Sequence, residues 1–178
     1  MAPSGENEPV LSLRSARPED AAAVAGVHVR SWQVAYRGLL PDAYLDGLRP
    51  EDRMGRYTFG STDPDAPWTT VAVEAEVIRG FATTGPSRDA DVADAGELLA
   101  LYVEPGAWGS GIGRQLMAQS RAQLGRHGFT EGFLWVLVGN DRAQRFYGID
   151  GWLPDGRRRT QEIWGVSVDE ICYRRHLP

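Results

Sequence analysis

Cysteine is almost absent from this sequence: Cys172 is the only one in 178 residues. One cysteine closes no internal disulfide and makes no CxxC pair for zinc, which excludes a disulfide scaffold and a zinc module. Its setting, Ile171-Cys172-Tyr173, is apolar and reads as a buried structural thiol, because reactive thiols need an electropositive, accessible site. Long hydrophobic runs are missing as well. No stretch approaches the ~18 apolar residues that span a membrane. The first nine residues have neither the basic nor the apolar part of a signal peptide. These absences predict a cytoplasmic protein without a membrane partner. Positive charge is the third thing in short supply: 19 Lys plus Arg against 24 Asp plus Glu give a net charge of −5. Such a balance offers no footprint for nucleic acid and mildly favours cationic partners such as amines.

What is present describes an ordinary globular chain, 42% apolar and 24% charged. Residues 1–9 read as a loose tail and residues 10–178 as one α/β domain, with no repeat or linker. Val10–Arg14 alternates like a short strand. Pro18, Glu19 and Asp20 suit the first turn of a helix, and Val24, Val27, His28, Trp32 and Ala35 then recur at helical spacing up to Gly38. Short helical turns follow at 41–48 and 51–59. Residues 69–75 and 77–84 read as a hairpin, and Glu97–Val103 as a buried central strand. After a glycine-rich loop at 106–113, a helix over 114–127 turns Leu116, Met117, Ser120 and Leu124 inward. A strand at 133–138 and a short helix at 140–147 come next. The tail predicts strands near 151–153, 161–166 and 171–175, with Pro154-Asp155-Gly156 as a turn.

The chemistry gathers at Leu101-Tyr102-Val103-Glu104-Pro105, followed by glycines at 106, 109, 111 and 113 and then a helix. Glycines let backbone approach a ligand closely, and the first amides of a helix lack internal partners. Together they aim several N–H donors and a positive dipole end at one point, which suits phosphate. The same loop could be only a tight strand-to-helix connection. Two nucleotide motifs fail on spacing. A P-loop needs Gly-Lys-Ser or Gly-Lys-Thr where Gly113-Arg114-Gln115 stands. The dinucleotide fingerprint needs GxGxxG and a later acidic residue, whereas Asn140 follows the next strand.

At this point the residues resemble a known family. Trp108-Gly109-Ser110-Gly111-Ile112-Gly113-Arg114, preceded by Leu101-Tyr102-Val103, is similar to motif A of the GNAT superfamily of N-acetyltransferases, of the bacterial small-molecule or protein-modifying type. The family pattern is Gln/Arg-x-x-Gly-x-Gly/Ala. Trp108 stands at its Gln/Arg position, a departure expected to alter the rim of the groove. Asn140 through Phe146-Tyr147, then Gly151-Trp152, resembles motif B of the same family. Residues 16–42 and the final strand fit it too, so the resemblance covers nearly the whole chain in order.

The resemblance implies a GNAT fold: one mixed, mostly antiparallel central sheet of six to seven strands, flanked by about four helices, with splayed central parallel strands. It implies acetyl-CoA as acyl donor, with no metal. Leu101, Tyr102 and Val103 would pair with the pantetheine arm through their main chain. Amides of Trp108, Gly109, Ser110, Gly111, Ile112, Gly113 and Arg114 would hold the pyrophosphate, and the Val103 amide would face the thioester carbonyl. Asn140 would bond the pantetheine, or act only as a helix cap. Tyr147 would serve as general acid, since a phenol with pKa ~10 stays protonated at neutral pH. Glu97 would be the base through ordered water, with Glu104 the weaker candidate. His28, Trp32, Tyr36 and Trp164, with Arg37, would shape the acceptor pocket. Arg157–Arg159 reads as a solvated hairpin tip, or as attraction for an anionic acceptor or the CoA 3′-phosphate.

The expected function is therefore transfer of acetyl from acetyl-CoA to a primary amine of a small molecule by direct attack in a ternary complex. A protein N-terminal or lysine acetyltransferase, of the ribosomal-protein type, is an alternative. So is a catalytically weak acyl-CoA sensor. A homodimer stays open.

Overall fold

The computed structural model describes residues 10–177; the expected tail at 1–9 lies outside them. Seven strands form one sheet in the order β1-β2-β3-β4-β5-β7-β6. They are β1 (Ser12–Ser15), β2 (Trp68–Glu74), β3 (Val77–Pro86), β4 (Gly96–Val103), β5 (Glu131–Leu137), β6 (Leu153–Ile163) and β7 (Val166–His176). Five helices accompany them: α1 (Ala21–Ala35), α2 (Asp42–Gly47), α3 (Glu51–Met54), α4 (Ile112–Arg126) and α5 (Asp141–Ile149). The sheet is mixed and mostly antiparallel, as the resemblance implied, with one helix more than expected. Among the described residues no helix is long and apolar enough to cross a membrane.

The single parallel pair, β4 with β5, opens the site. Only Gly96 with Gly132 and Glu97 with Phe133 are in register; beyond them the two strands diverge. Each lip of the resulting seam is held by its other neighbour. β4 stays paired with β3 from Gly96 to Val103, with one irregularity between Thr83 and Thr84. β5 stays paired with β7 from Glu131 to Leu137. The connection between parallel strands must cross a face of the sheet, and α4 makes that crossing.

Alternation along the strands sorts the side chains into two faces. On one, Leu98, Val103, Leu134 and Val136 pack on Ile112, Leu116 and Met117 of α4, with Phe146 and Tyr147 of α5 against them. Burying a side chain of that size contributes about 2 kcal/mol, so these two helices are firmly seated. On the other face, Val24 and Val27 of α1 cover Val71 and Phe81, while Trp32 and Leu45 meet Val168 and Trp164.

Several boundaries differ from expectation: the helix expected over 51–59 stops at Met54, β5 begins at Glu131, and β7 extends from Val166 to His176. α4 begins at Ile112, two residues early, because Gly111 caps it in a left-handed conformation (φ 93°). β6 is one strand from Leu153 to Ile163, not two short ones parted by a turn. Pro154-Asp155-Gly156 is absorbed as an irregularity between Pro154 and Arg158. Asp155 Oδ1 accepts the Arg157 N–H at 3.0 Å, the local bond that makes such a triplet look like a turn. The hairpin turn itself is Trp164-Gly165, both with positive φ (53° and 82°), as a two-residue hairpin requires. Arg157–Arg159 is therefore mid-strand, not a hairpin tip.

Candidate active site

The glycine-rich loop leaves β4 at Glu104, passes a short turn at Pro105–Ala107, and becomes α4. The first helical bond runs from the Gln115 N–H to Gly111 O at 3.2 Å, so the amides just before it stay open, as at any helix start. Gly113 lies where a Cβ would sit 3.4 Å from the Phe146 ring and 3.8 Å from Val103. That close approach is what brings the two separate motifs, on α4 and α5, into contact. Of the residues picked from the sequence, Trp108, Gly109, Gly111, Gly113 and Arg114 line one cavity of about 890 Å³. Ser110 and Ile112 do not. Ser110 turns its hydroxyl to Ala107 O at 2.7 Å and its N–H to the same oxygen at 3.4 Å, and the Trp108 N–H donates to Pro105 O at 3.2 Å, which corrects the phosphate-binding amides expected of both; the Ile112 side chain is buried in the core and leaves only its amide to the loop.

Trp108 does more than change the rim. Its indole N–H donates to Val103 O at 2.8 Å, and the Ser31 hydroxyl donates to the same oxygen at 2.9 Å. In an antiparallel pair a residue spends both its backbone groups on one side of the strand. With the Val103 carbonyl bonded away from β3, Val103 and Leu101 turn their main-chain groups to the seam, while Tyr102 between them faces β3. Tyr102 belongs to the cavity through its ring, which corrects the main-chain role expected for it. Arg142, in the first turn of α5, lies 3.4 Å from the centre of the Trp108 ring. Burial pulls its guanidinium pKa below the ordinary value. Arg114 and Arg142 both line the cavity, and neither has a carboxylate within ion-pair distance among the described residues.

Asn140 and Tyr147 share the wall formed by α5. Asn140 caps the helix, its Oδ1 accepting the Ala143 N–H at 3.1 Å, which leaves its amide N–H groups for the cavity. Tyr147 is fixed from behind: its carbonyl accepts the Trp152 N–H at 3.0 Å, and the buried Trp152 indole donates to Asp150 at 3.0 Å. Arg121 and Arg175 hold that carboxylate at 3.0 and 3.2 Å. Burial first, and then the neighbouring Tyr102, push the Tyr147 phenol pKa up, so it keeps its proton well into alkaline solution.

His28, Trp32, Tyr36 and Trp164 come together as an aromatic chamber on the opposite face. Trp32 stacks on Trp164 at 4.3 Å between ring centres, and His28 on Tyr102 at 4.3 Å. The Arg53 guanidinium covers Trp164 at 3.7 Å. His28 Nδ1 meets the Tyr57 hydroxyl, while Nε2 is buried without a partner. Burial, with Arg53 adding to it, pulls the imidazole pKa down to about 3, so His28 is neutral at neutral pH. The phenols of Tyr36, Tyr57 and Tyr102 are all raised, burial being the largest cause in each. The chamber therefore offers neutral donors and no phenolate. Arg37, expected here, instead pairs with Asp42 and Asp46 on the surface.

Glu97 lines the cavity at the closed end of the seam and is only 3% exposed. Its carboxylate accepts the Arg88 N–H at 3.2 Å and the Arg88 guanidinium at 3.4 Å. Glu104, the weaker candidate, is committed to a two-pronged pair with Arg30, both contacts 2.8 Å. Cys172 is fully buried, and burial pushes its thiol pKa up to about 12, as expected of a structural thiol. Sequence reasoning missed Ser31, Arg53, Tyr57, Arg88 and Arg142. Ser31 and Arg142 lie within the resembling segments but not at their defining letters, and all five take their places from contacts with other elements.

Comparison with known proteins agrees with this geometry. The pattern described as the acetyltransferase (GNAT) family matches residues 29–152. The chain is similar to a Bacillus subtilis protein described as the uncharacterized N-acetyltransferase YuaI, 32% identical over 91% of each chain. In structure it is similar to PaiA N-acetyltransferase from Thermoplasma acidophilum in complex with coenzyme A, with a TM-score of 0.71, 19% identity, and 94% of this chain and 99% of that one covered. It is also similar to YncA of Salmonella typhimurium, a putative acetyltransferase with its cofactor acetyl-CoA. That pair has a TM-score of 0.67 and 20% identity over 94% of each chain.

Proposed function

From the premise that this chain belongs to the GNAT family and is an acetyl-CoA-dependent acyltransferase, we propose that it acetylates the primary amine of a small molecule by direct attack in a ternary complex. One observation carries the reading. A single cavity joins the open amides of the glycine-rich loop to Tyr147 and Glu97 across the seam. At about 890 Å³ it falls in the range of small-ligand sites, and the pantetheine arm shares it, which favours a compact acceptor. Residues 10–178 act as one catalytic unit in this reading.

The amides of Gly109, Gly111, Ile112, Gly113 and Arg114 hold the pyrophosphate, with Arg114 and Arg142 supplying charge. Leu101 and Val103 pair with pantetheine, Asn140 assists with its free amide, and the Val103 N–H receives the charge that develops on the thioester oxygen. A preorganised donor of that kind contributes about 3 kcal/mol to the transition state. The amine nitrogen attacks the carbonyl carbon, the C–S bond breaks, and the thiolate takes the proton of Tyr147. The proton lost by the amine passes through water to Glu97. The raised phenol pKa keeps Tyr147 protonated, so the donor is present at neutral pH and no phenolate is available to act as the base.

Calorimetric titration of acetyl-CoA, followed by thiol release with a panel of amines, tests this. The sequence contains no lysine, so acetylation of the enzyme's own side chains does not feed the signal. Saturable binding with amine-dependent thiol release is expected. Absence of binding at low millimolar acetyl-CoA overturns the reading, and binding without release from any amine supports a sensor instead.

A further inference from the structure

The cavity does not end at the aromatic chamber. On the same face of the sheet a second hollow of about 640 Å³ continues it, and the two share Arg88, Glu97, Trp135, Arg159 and Gln161 as walls. Glu97 and Trp135 are side chains of the two lips of the seam, β4 and β5. A guanidinium stands at each. Arg88 reaches Glu97 from the connection before β4, with its side chain 71% exposed. Arg159 crosses from β6 and lies 4.2 Å from the centre of the Trp135 ring, its Nε donating to Glu170 at 2.7 Å.

The charges around this hollow are arranged unequally. Its buried carboxylates are engaged: Glu97 by Arg88, and Glu170 by Arg159 and by the Gln161 amide at 2.9 Å. Asp89 and Asp155 face Arg157. The arginines are only partly engaged. Arg159 spends Nε alone, and its two terminal nitrogens have no protein acceptor among the described residues. Asp91 and Glu162 are the wall carboxylates without an ion-pair partner there; Asp91 is in the hollow, and Glu162 is toward the hairpin turn. Unspent N–H groups of two planar forks, held by ion pairs and by an indole, flank the seam. That is the donor geometry that matches an oxyanion.

We propose that the acceptor is an amine carrying a carboxylate or phosphate at its far end, with the oxyanion held between Arg159 and Arg88. This rests on the acetyltransferase reading and narrows its substrate class. The buried Glu170 and Gln161 fix Arg159 in place, so the site is built before the acceptor arrives.

The test compares matched acceptors with the full chain at saturating acetyl-CoA: ω-amino carboxylates of increasing length, their amides, alkylamines, and aminoalkyl phosphates. Anionic acceptors are expected to exceed their neutral counterparts at least about tenfold in kcat/KM. The phosphate and carboxylate arms tell the two oxyanions apart. In Arg159→Gln the ratio falls to about one, and in Arg159→Lys it is partly retained. Thermal melts of both variants confirm that they fold. Equal rates for anionic and neutral acceptors, or a preference that survives Arg159→Gln, overturn the proposal. So does a preference lost only in Arg56→Gln, since Arg56 lines the chamber end of the cavity. If no acceptor turns over, the same compounds are titrated onto the CoA complex, where tighter binding of the anionic members supports the proposal and equal binding overturns it. Failure of acetyl-CoA itself to bind counts against the transferase reading, and the titration is then read on the free protein.

Discussion

The loop end and the chamber end of the cavity are built by opposite means. At the loop end the groups that face the cavity are mostly backbone: one short stretch, exposed by glycines and by a helix start. At the chamber end they are side chains from α1, the segment around α3, β4 and the β6–β7 turn, brought together by the sheet. A backbone site can be written in consecutive letters and tolerates a change such as Trp108. A side-chain site is written in scattered letters and can be rewritten one at a time. The first suits a donor that stays constant, the second an acceptor that differs between relatives.

The largest effect should come from breaking the backbone end. Gly111→Val places a β-branched residue at φ 93°, where such side chains are strained by about 1–3 kcal/mol, and redirects the amides that start α4. Acetyl-CoA affinity is expected to fall at least about a hundredfold by calorimetry, while the thermal melt drops by only about 2–10 °C, as that strain implies. Next comes Tyr147→Phe, which keeps the packing and removes the acid. A drop of about a hundredfold in kcat at unchanged acetyl-CoA affinity is expected; full turnover would end the acid assignment. In the wild type no alkaline loss of rate from Tyr147 should occur near pH 10, because its pKa is raised.

The chamber end is tested by Trp164→Gly. It removes the stack on Trp32 and the Arg53 contact, and it relieves a non-glycine residue at φ 53°. The acceptor KM should rise about tenfold while acetyl-CoA affinity holds; a matching loss of cofactor affinity would erase the distinction between the two ends. A further effect is on stability, and it appears only in acid. His28 has a folded pKa of about 3 against about 6.5 in the unfolded chain. Between those values the unfolded state binds the extra proton, so this contribution is complete above pH 6.5 and is lost as pH falls toward 3. The slope approaches about 1.4 kcal/mol per pH unit. Relative to wild type, His28→Asn should show a flatter fall in stability between pH 6 and 4 in denaturant titrations; parallel curves would show that His28 is not held neutral.

Most of the fold is legible in the sequence because its period is strong. The inward spacing of Leu116, Met117, Ser120 and Leu124 matches the buried face of α4, and the apolar run before Glu104 matches β4. The C-terminal strands depart from the expected pattern for a local reason. Pro154-Asp155-Gly156 makes the hydrogen bond of a turn, yet β7 pairs on both sides of it and keeps β6 continuous. Long-range pairing outweighed local turn chemistry.

The sequence by itself determined the strand, glycine-rich loop and helix start that line one end of the cavity, because they follow one another within twenty residues. It also determined the helix cap at Asn140 and the neighbourhood of Tyr147. Only the tertiary structure decided that β4 and β5 part after two residue pairs, that Trp108 bonds Val103 and carries Arg142, and that Arg88 and Arg159 line one hollow beside the seam. Those contacts join residues far apart in the chain. Their energy depends on burial and orientation, which no local pattern of letters records.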